Sequence, residues 1–201
     1  MNSLRHLLSA ALSVLLAGGA VAAIAPGTPA PGFTLNDVHG KSLSLSDFQG
    51  KVVVLEWTNK DCPFVKKHYA SRNLQSLQSN YVGQGIVWLS VCSSAPGKQG
   101  HYSPSDWLSI LADNGSQASH LLLDPDGTVG MAYGAKTTPH VFVVDSNGNL
   151  AYNGAVDDRP SVDPSDIPGA RSFICEALDA LLAGKPVPIA QTPPYGCSVK
   201  Y

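Results

Sequence analysis

The chain has 201 residues, with 13 Lys and Arg against 15 Asp and Glu, 44% hydrophobic and 14% charged residues, and four cysteines. That length supports one domain with a full core and hardly two. The near-neutral balance offers no electrostatic footprint for nucleic acid or an anionic membrane surface. Ordinary apolar content excludes a disordered chain, and four cysteines are too few for a disulfide scaffold of this size.

In chain order, Arg5 and His6 form a short basic region before the apolar run Leu7 to Ala17, and Ala20-Val21-Ala22 supplies a small-x-small cleavage pattern. Residues 1–22 therefore read as a cleavable signal peptide, with 23–201 as the mature domain. Gly18, Gly19 and Pro26 interrupt the apolar run, so a membrane span of ~20 residues fits poorly. The expected location is periplasmic or secreted, with no membrane association after cleavage, and disulfides persist there.

Phe33–Leu35 and Ser42–Leu45 alternate about a turn at Gly40 and read as an N-terminal hairpin. Val52–Trp57 is a near-continuous apolar run, expected for a central strand buried on both faces. A helical stretch follows Cys62-Pro63. Val65 and Tyr69 do not share one stripe with Leu74, Leu77 and Tyr81, which predicts a bend or break. Ile86–Val91 is the second strand and leads into a loop at Cys92–Gly97. Ser103-Pro104 opens a helix with Trp107, Ile110 and Leu111 on one face.

Leu121–Leu123 is a short strand closed by a turn at Asp124–Gly127, which lacks the further ligands of a calcium loop. Val141–Val144 and Leu150–Tyr152 flank the hairpin turn Asp145–Gly148. After a polar loop, residues 171–183 form the last helix, with Ile174, Leu178, Leu181 and Leu182 on one side and a Pro-rich tail beyond Gly184. This order predicts an α/β domain with a mixed central sheet and helices on both faces.

Cys62 stands between a buried strand and a helix start, where unsatisfied backbone N–H groups favour a thiolate. Lys60, Lys66 and Lys67 add positive charge and Asp61 opposes it; a buried structural cysteine is the alternative. Thr137-Thr138-Pro139 precedes the Val141 strand, a place compatible with a cis bond. Glu56 interrupts its apolar strand, so it is either a buried carboxyl able to exchange protons with the site or an edge residue reaching solvent.

The strand-Trp-x4-Cys-Pro-helix segment and the later Thr-Pro resemble the thioredoxin-like superfamily. Pro31–Asp37 and the Gly40–Val52 segment (Gly-Lys-x-Leu-x-Leu-x-Asp-Phe-x-Gly-Lys-Val) resemble the redoxin, or AhpC/TSA, branch. Asp61–Tyr69, Ala95–Gly100 and the tail Gly196–Tyr201 resemble a group of exported members. The resemblance implies a thioredoxin-like fold with an N-terminal β-hairpin extension and Cys62 as nucleophile. Cys62-Pro63 and Thr138-Pro139 would face a substrate, the Thr138 backbone would be presented to it, and His140 would line the site. No cofactor or metal is implied.

Two positions depart from familiar patterns. Val65 stands where a Cys-x-x-Cys motif needs its second cysteine. Asn59 and Leu55 stand where a peroxiredoxin signature has Thr and Pro, with Thr58 one place off. A partner for Cys62 must therefore be distant: Cys92, Cys175 or Cys197. The last helix is ~20 Å long. The chain from Gly184 to Cys197 spans up to ~43 Å extended, enough to return to the Cys62 edge. Gly196-Cys197 also belongs to the group's tail pattern. A Cys62–Cys197 disulfide is expected, with Cys92–Cys175 its structural complement. A purely structural Cys197 bridge would stabilise by about 4–5 kcal/mol.

The reading is a thiol–disulfide oxidoreductase acting on a thiol or disulfide protein substrate or redox partner. Its rivals are a thiol peroxidase acting on hydroperoxide, a non-catalytic binding module, and a copper-handling protein using Cys62 with His68 and His140. In the last, Lys66 stands where a Cys-x3-Cys pair needs its second cysteine.

Overall fold

The computed structural model describes residues 24–201. The expected signal peptide therefore lies outside the described residues. No helix among the described residues is long and apolar enough to cross a membrane.

The expected hairpin forms from β1 (Thr34–Asp37) and β2 (Ser42–Ser44). The apolar runs become β3 (Val53–Trp57) and β4 (Val87–Cys92), paired in parallel. Between them lie two helices, α1 (Pro63–Ala70) and α2 (Asn73–Val82). They separate at Arg72, whose φ of 58° is left-handed, and this is why the two apolar groups share no stripe.

Next come α3 (Pro104–Asn114) and β5 (His120–Leu123), which lies parallel to β4. The short α4 (Thr128–Tyr133) grows out of the Asp124–Gly127 turn and was not expected. Asp124 explains it: its carboxylate accepts from the Val129 and Gly130 N–H groups and from Ser93. The short β6 (Thr137–Thr138) precedes β7 (His140–Val144) and β8 (Leu150–Gly154). α5 (Phe173–Leu182) and a tail strand β9 (Cys197–Ser198) follow.

The main sheet has the order β2-β1-β5-β4-β3-β7-β8, with β7 antiparallel to β3. Alternate residues of β3 face opposite ways. Val53, Leu55 and Trp57 pack with Leu89, Phe142 and, from α4, Val129 and Tyr133. Val54 packs on the other face with Trp88 and Val143, beneath Leu74 and Tyr81 of α2 and Ile174 and Leu178 of α5. Helices therefore cover both faces, as expected. Leu182, assigned to the apolar side of the last helix, is exposed instead, at the frayed end of α5.

β6 and β9 form a separate two-stranded sheet, which brings the tail back to the C-terminal edge of β3 and β4.

Candidate active site at Cys62

The chain leaves β3 at Trp57, whose indole Nε1–H donates to Ser93 Oγ at 2.9 Å. Asn59 then shapes the loop. Its Oδ1 accepts from the Asp61 N–H at 2.9 Å, and its Nδ2 donates to the Gln99 carbonyl at 3.2 Å. Gly100 faces it closely: a Cβ there would stand 2.4 Å from Asn59 Oδ1. The loop at 95–101 is thereby locked against the loop that carries Cys62. Tyr102, from the same region, donates to Asp61 Oδ2 at 2.8 Å.

Cys62 is the N-cap of α1, with extended φ and ψ of −68° and 123°, and Pro63 takes the first helical position, where no N–H is needed. The Cys62 residue is 0% exposed. Its thiol lies 3.0 Å from the Thr138 carbonyl oxygen, to which it donates. The Thr138–Pro139 peptide bond is cis.

The tail completes the site. β9 pairs antiparallel with β6, so that Cys197 stands opposite Thr138 and Ser198 opposite Thr137. Gly196 makes this approach possible. Its φ is 136°, and a Cβ would stand 2.1 Å from the Thr138 carbonyl oxygen. Cys197 is thereby set beside Cys62, whose thiol is aimed at the carbonyl of the residue opposite it.

Burial pushes the Cys62 thiol up, but the polar groups around its sulfur, the Cys197 thiol, Thr138 and the Val65 and Cys197 backbones, outweigh it. The net shift is downward. The Thr138 hydroxyl is buried with no hydrogen-bond partner among the described residues, so it is free to serve a thiolate here. Cys197 moves the opposite way, pushed up to about 11 by burial and by its place beside Cys62. The two thiols are therefore shifted in opposite directions, Cys62 down and Cys197 up.

Glu56 is fully buried, not at an edge. Its Oε2 accepts from Trp88 Nε1 at 2.9 Å, Gln78 Nε2 at 3.3 Å and Ser90 Oγ at 3.4 Å. Its Oε1 is buried without a partner. Burial dominates these donors and pushes the carboxyl up to about 7. Its hydrogen bonds do not run to Cys62.

Several expectations are corrected. His140 does not line the site. It is 2% exposed; its Nε2 bonds to Asn153 Oδ1 at 2.8 Å and its Nδ1 accepts from the Lys136 N–H at 3.2 Å, which leaves no ring nitrogen for a substrate or metal. His68 is likewise engaged, with Asn73 at 2.8 Å and Tyr195 at 3.3 Å. The Cys92–Cys175 bridge is not made. Cys92 lies beneath α3 with Trp107 and Ile110, whereas Cys175 packs against the α2–α5 cluster. All four cysteines are unbridged. Cys62 and Cys197 are adjacent as thiols.

Sequence reasoning missed the groups that seat the tail. Tyr195 packs on Phe64 with ring centroids 5.8 Å apart, and its hydroxyl donates to Asp157. Only the tail motif itself, Gly196-Cys197, gave a local signal.

A model of the AhpC/TSA family matches residues 26–153. The chain belongs to the AhpC/TSA family. Among its relatives, the thiol-disulfide oxidoreductase ResA of Geobacillus thermodenitrificans is 27% identical over 128 residues, which cover 64% of this chain and 68% of that protein. An uncharacterized conserved protein from Geobacillus kaustophilus superposes with a TM-score of 0.74 at 30% identity, covering 89% of this chain and 93% of that one. The thioredoxin domain of a thiol-disulfide oxidoreductase from Bacteroides vulgatus shares the fold, with a TM-score of 0.53 at 22% identity over 73% of this chain and 98% of that one. This AhpC/TSA chain thus has a thioredoxin-like fold with the β1–β2 hairpin added at one edge.

Proposed function

We propose that this AhpC/TSA protein is an exported thiol–disulfide oxidoreductase with Cys62 as nucleophile and Cys197 as resolving thiol, residues 23–201 forming the single mature domain. The observation that carries the reading is the β6–β9 pairing, which sets Cys197 opposite Thr138, the residue whose carbonyl oxygen receives the Cys62 thiol at 3.0 Å; the Cys62 thiol is shifted down and the Cys197 thiol up. The resemblance of the chain to thiol-disulfide oxidoreductases agrees with it.

The Cys62 thiolate attacks one sulfur of a substrate disulfide. A Cys62–substrate disulfide forms, the substrate S–S bond breaks, and the departing sulfur takes a proton. Cys197 loses its proton and attacks Cys62; the Cys62–Cys197 disulfide forms and the second substrate sulfur leaves as a thiol. The substrate is reduced by two electrons, and an external thiol donor restores the protein. The same steps in reverse oxidise a dithiol substrate. Glu56 is bonded to Trp88, Gln78 and Ser90 and none of its hydrogen bonds reaches either sulfur, so no step is assigned to it. Pro63, Thr138 and Pro139 are the residues that would border the incoming sulfur.

The test is trapping. Cys197→Ser should accumulate a mixed disulfide at Cys62 with a disulfide-bonded protein substrate, seen by mass spectrometry, and Cys62→Ser should form none. Failure of Cys62 to enter any disulfide would overturn the reading. Consumption of hydroperoxide with Cys62 held as sulfenic acid in Cys197→Ser, and no exchange with protein disulfides, would replace it with the peroxidase.

A further inference from the structure

Cys62 is wholly buried, yet any thiol–disulfide exchange needs a second sulfur in line with its own. The strand that covers it is the chain's own tail. β9 occupies the free edge of β6, with Cys197 opposite Thr138, and holds there the position an extended substrate segment would need. The hold on this strand therefore governs both access to Cys62 and the local supply of Cys197.

Beyond Cys197 the tail is held by the β6–β9 pair, by the Val199 N–H on the Lys136 carbonyl at 3.0 Å, by the Ala95 N–H on the Lys200 carbonyl at 2.8 Å and by the Tyr201 hydroxyl on the Ala135 carbonyl at 2.8 Å. Ahead of it, Tyr195, two residues before Cys197, ties the strand to the nucleophile's own helix. Helix α1, which Cys62 itself caps, turns one face to this ring: Phe64, Lys67 and His68, at i, i+3 and i+4. Phe64 packs against the ring at a 57° tilt with centroids 5.8 Å apart, and Lys67 Nζ lies 5.3 Å from its centroid. The hydroxyl donates to Asp157, lies 3.3 Å from His68 Nε2 and accepts from Lys67 Nζ at 3.5 Å. Lys67, His68 and Asp157 are all at most 2% exposed, a buried polar cluster in an otherwise apolar helix face. Lys67 is also tied to the Arg159 carbonyl at 2.6 Å, and His68 to Asn73 at 2.8 Å, so the cluster is pre-set to receive one hydroxyl.

We infer that Tyr195 is a positioning residue: its hydroxyl latches the tail onto the nucleophile's own helix, and this latch sets how often Cys62 is uncovered and how strongly Cys197 competes for it. The inference rests on the thiol–disulfide reading above. Loss of one hydrogen bond to a charged group is worth about a factor of ten in the docked-to-released ratio. Release should therefore speed capture at Cys62 by a similar factor; because the latch is made in the dithiol form as well, the internal disulfide weakens only as far as the reduced tail becomes released.

The experiment uses the purified chain and its Tyr195→Phe variant, which keeps the ring and removes only the hydroxyl. In glutathione buffers, two glutathiones reduce the Cys62–Cys197 disulfide and are oxidised to one glutathione disulfide. The variant's equilibrium should shift toward the dithiol by at most about tenfold, about 30 mV for this two-electron couple, since the latch holds the reduced form too. Alkylation of Cys62 by iodoacetamide in the reduced protein should rise about tenfold. Phe64→Leu, which loosens the ring and leaves the hydroxyl, should move both readouts the same way by less, and serves if Tyr195→Phe does not fold. An alkylation rate for the variant within twofold of wild type overturns the latch. Absence of any Cys62–Cys197 disulfide in wild type overturns the thiol–disulfide reading instead.

Discussion

Cys197 stands directly across an antiparallel pair from Thr138, the residue whose carbonyl oxygen receives the Cys62 thiol at 3.0 Å. The dithiol is thus built from two segments far apart in the chain, joined by four residues of β structure. Val65, one turn into α1, leaves the local partner position apolar and buried. A tail strand supplies the second sulfur from outside the helix.

Gly196 should be intolerant of any side chain. In Gly196→Ala the new methyl would meet the Thr138 carbonyl oxygen at 2.1 Å, at a φ that L-residues rarely adopt. Strain of this kind costs about 1–3 kcal/mol, enough to undock a two-residue strand. The expected result is a folded protein with a modestly lower melting temperature and alkylation of Cys62 faster by about tenfold or more. Unchanged alkylation would show that β9 does not depend on this glycine.

Cys62 should alkylate with a midpoint below that of an ordinary cysteine, because the donors around its sulfur outweigh its burial. Cys197→Ser exchanges the thiol donor for a hydroxyl and loosens the strand, while Cys197→Ala removes the donor. The midpoint should therefore rise in Cys197→Ala and less so in Cys197→Ser, read from the pH dependence of the iodoacetamide rate. Cys197 itself, pushed up to about 11, should remain protonated throughout that range.

Stability should pass through a maximum near neutral pH. Burial holds His68 and His140 down to about 4, from 6.5. The unfolded chain binds these two protons first, so the native state loses stability as pH falls from 6.5 toward 4, by roughly 3 kcal/mol for each histidine. Glu56 is raised from 4.5 to about 7, which stabilises the protein at acid pH and is lost as pH climbs through 7. Two histidines outweigh one carboxyl below 6.5; above it only the Glu56 decline remains. Urea midpoints at successive pH values check the sign. In Glu56→Gln the decline toward pH 7 should vanish while the acid loss persists.

Cys92 and Cys175 should be dispensable for exchange. Cys92 donates to the Gly100 carbonyl at 3.4 Å under α3, and burial pushes its thiol up, away from reactivity. Cys92→Ala should cost about 1–2 kcal/mol for the small cavity it leaves. Exchange rates in Cys92→Ala and Cys175→Ser should stay within twofold of wild type. A tenfold loss in either would assign that cysteine a part in the chemistry.

The sequence by itself determined whatever depends on neighbours in the chain. The β3 run Val53–Trp57, the Cys62-Pro63 helix start, the Asp145–Gly148 turn and the break between Tyr69 and Leu74 all follow from local periodicity and turn chemistry. Together with the redoxin-like motifs they marked out the fold and singled out Cys62 as the candidate nucleophile. Tertiary structure alone decided the rest. His140 looked like a site residue beside Pro139, but its partners, Asn153 and Lys136, are set by strand pairing and a turn. The separation of Cys92 from Cys175 follows from which helix covers each. The seating of Cys197 by Tyr195 and Gly196 depends on a two-residue strand pair and a buried polar cluster drawn from α1, the 157–159 loop and the tail. Contacts of that kind have no period and no fixed spacing along the chain, because each is one side of a packing arrangement whose other side lies many residues away.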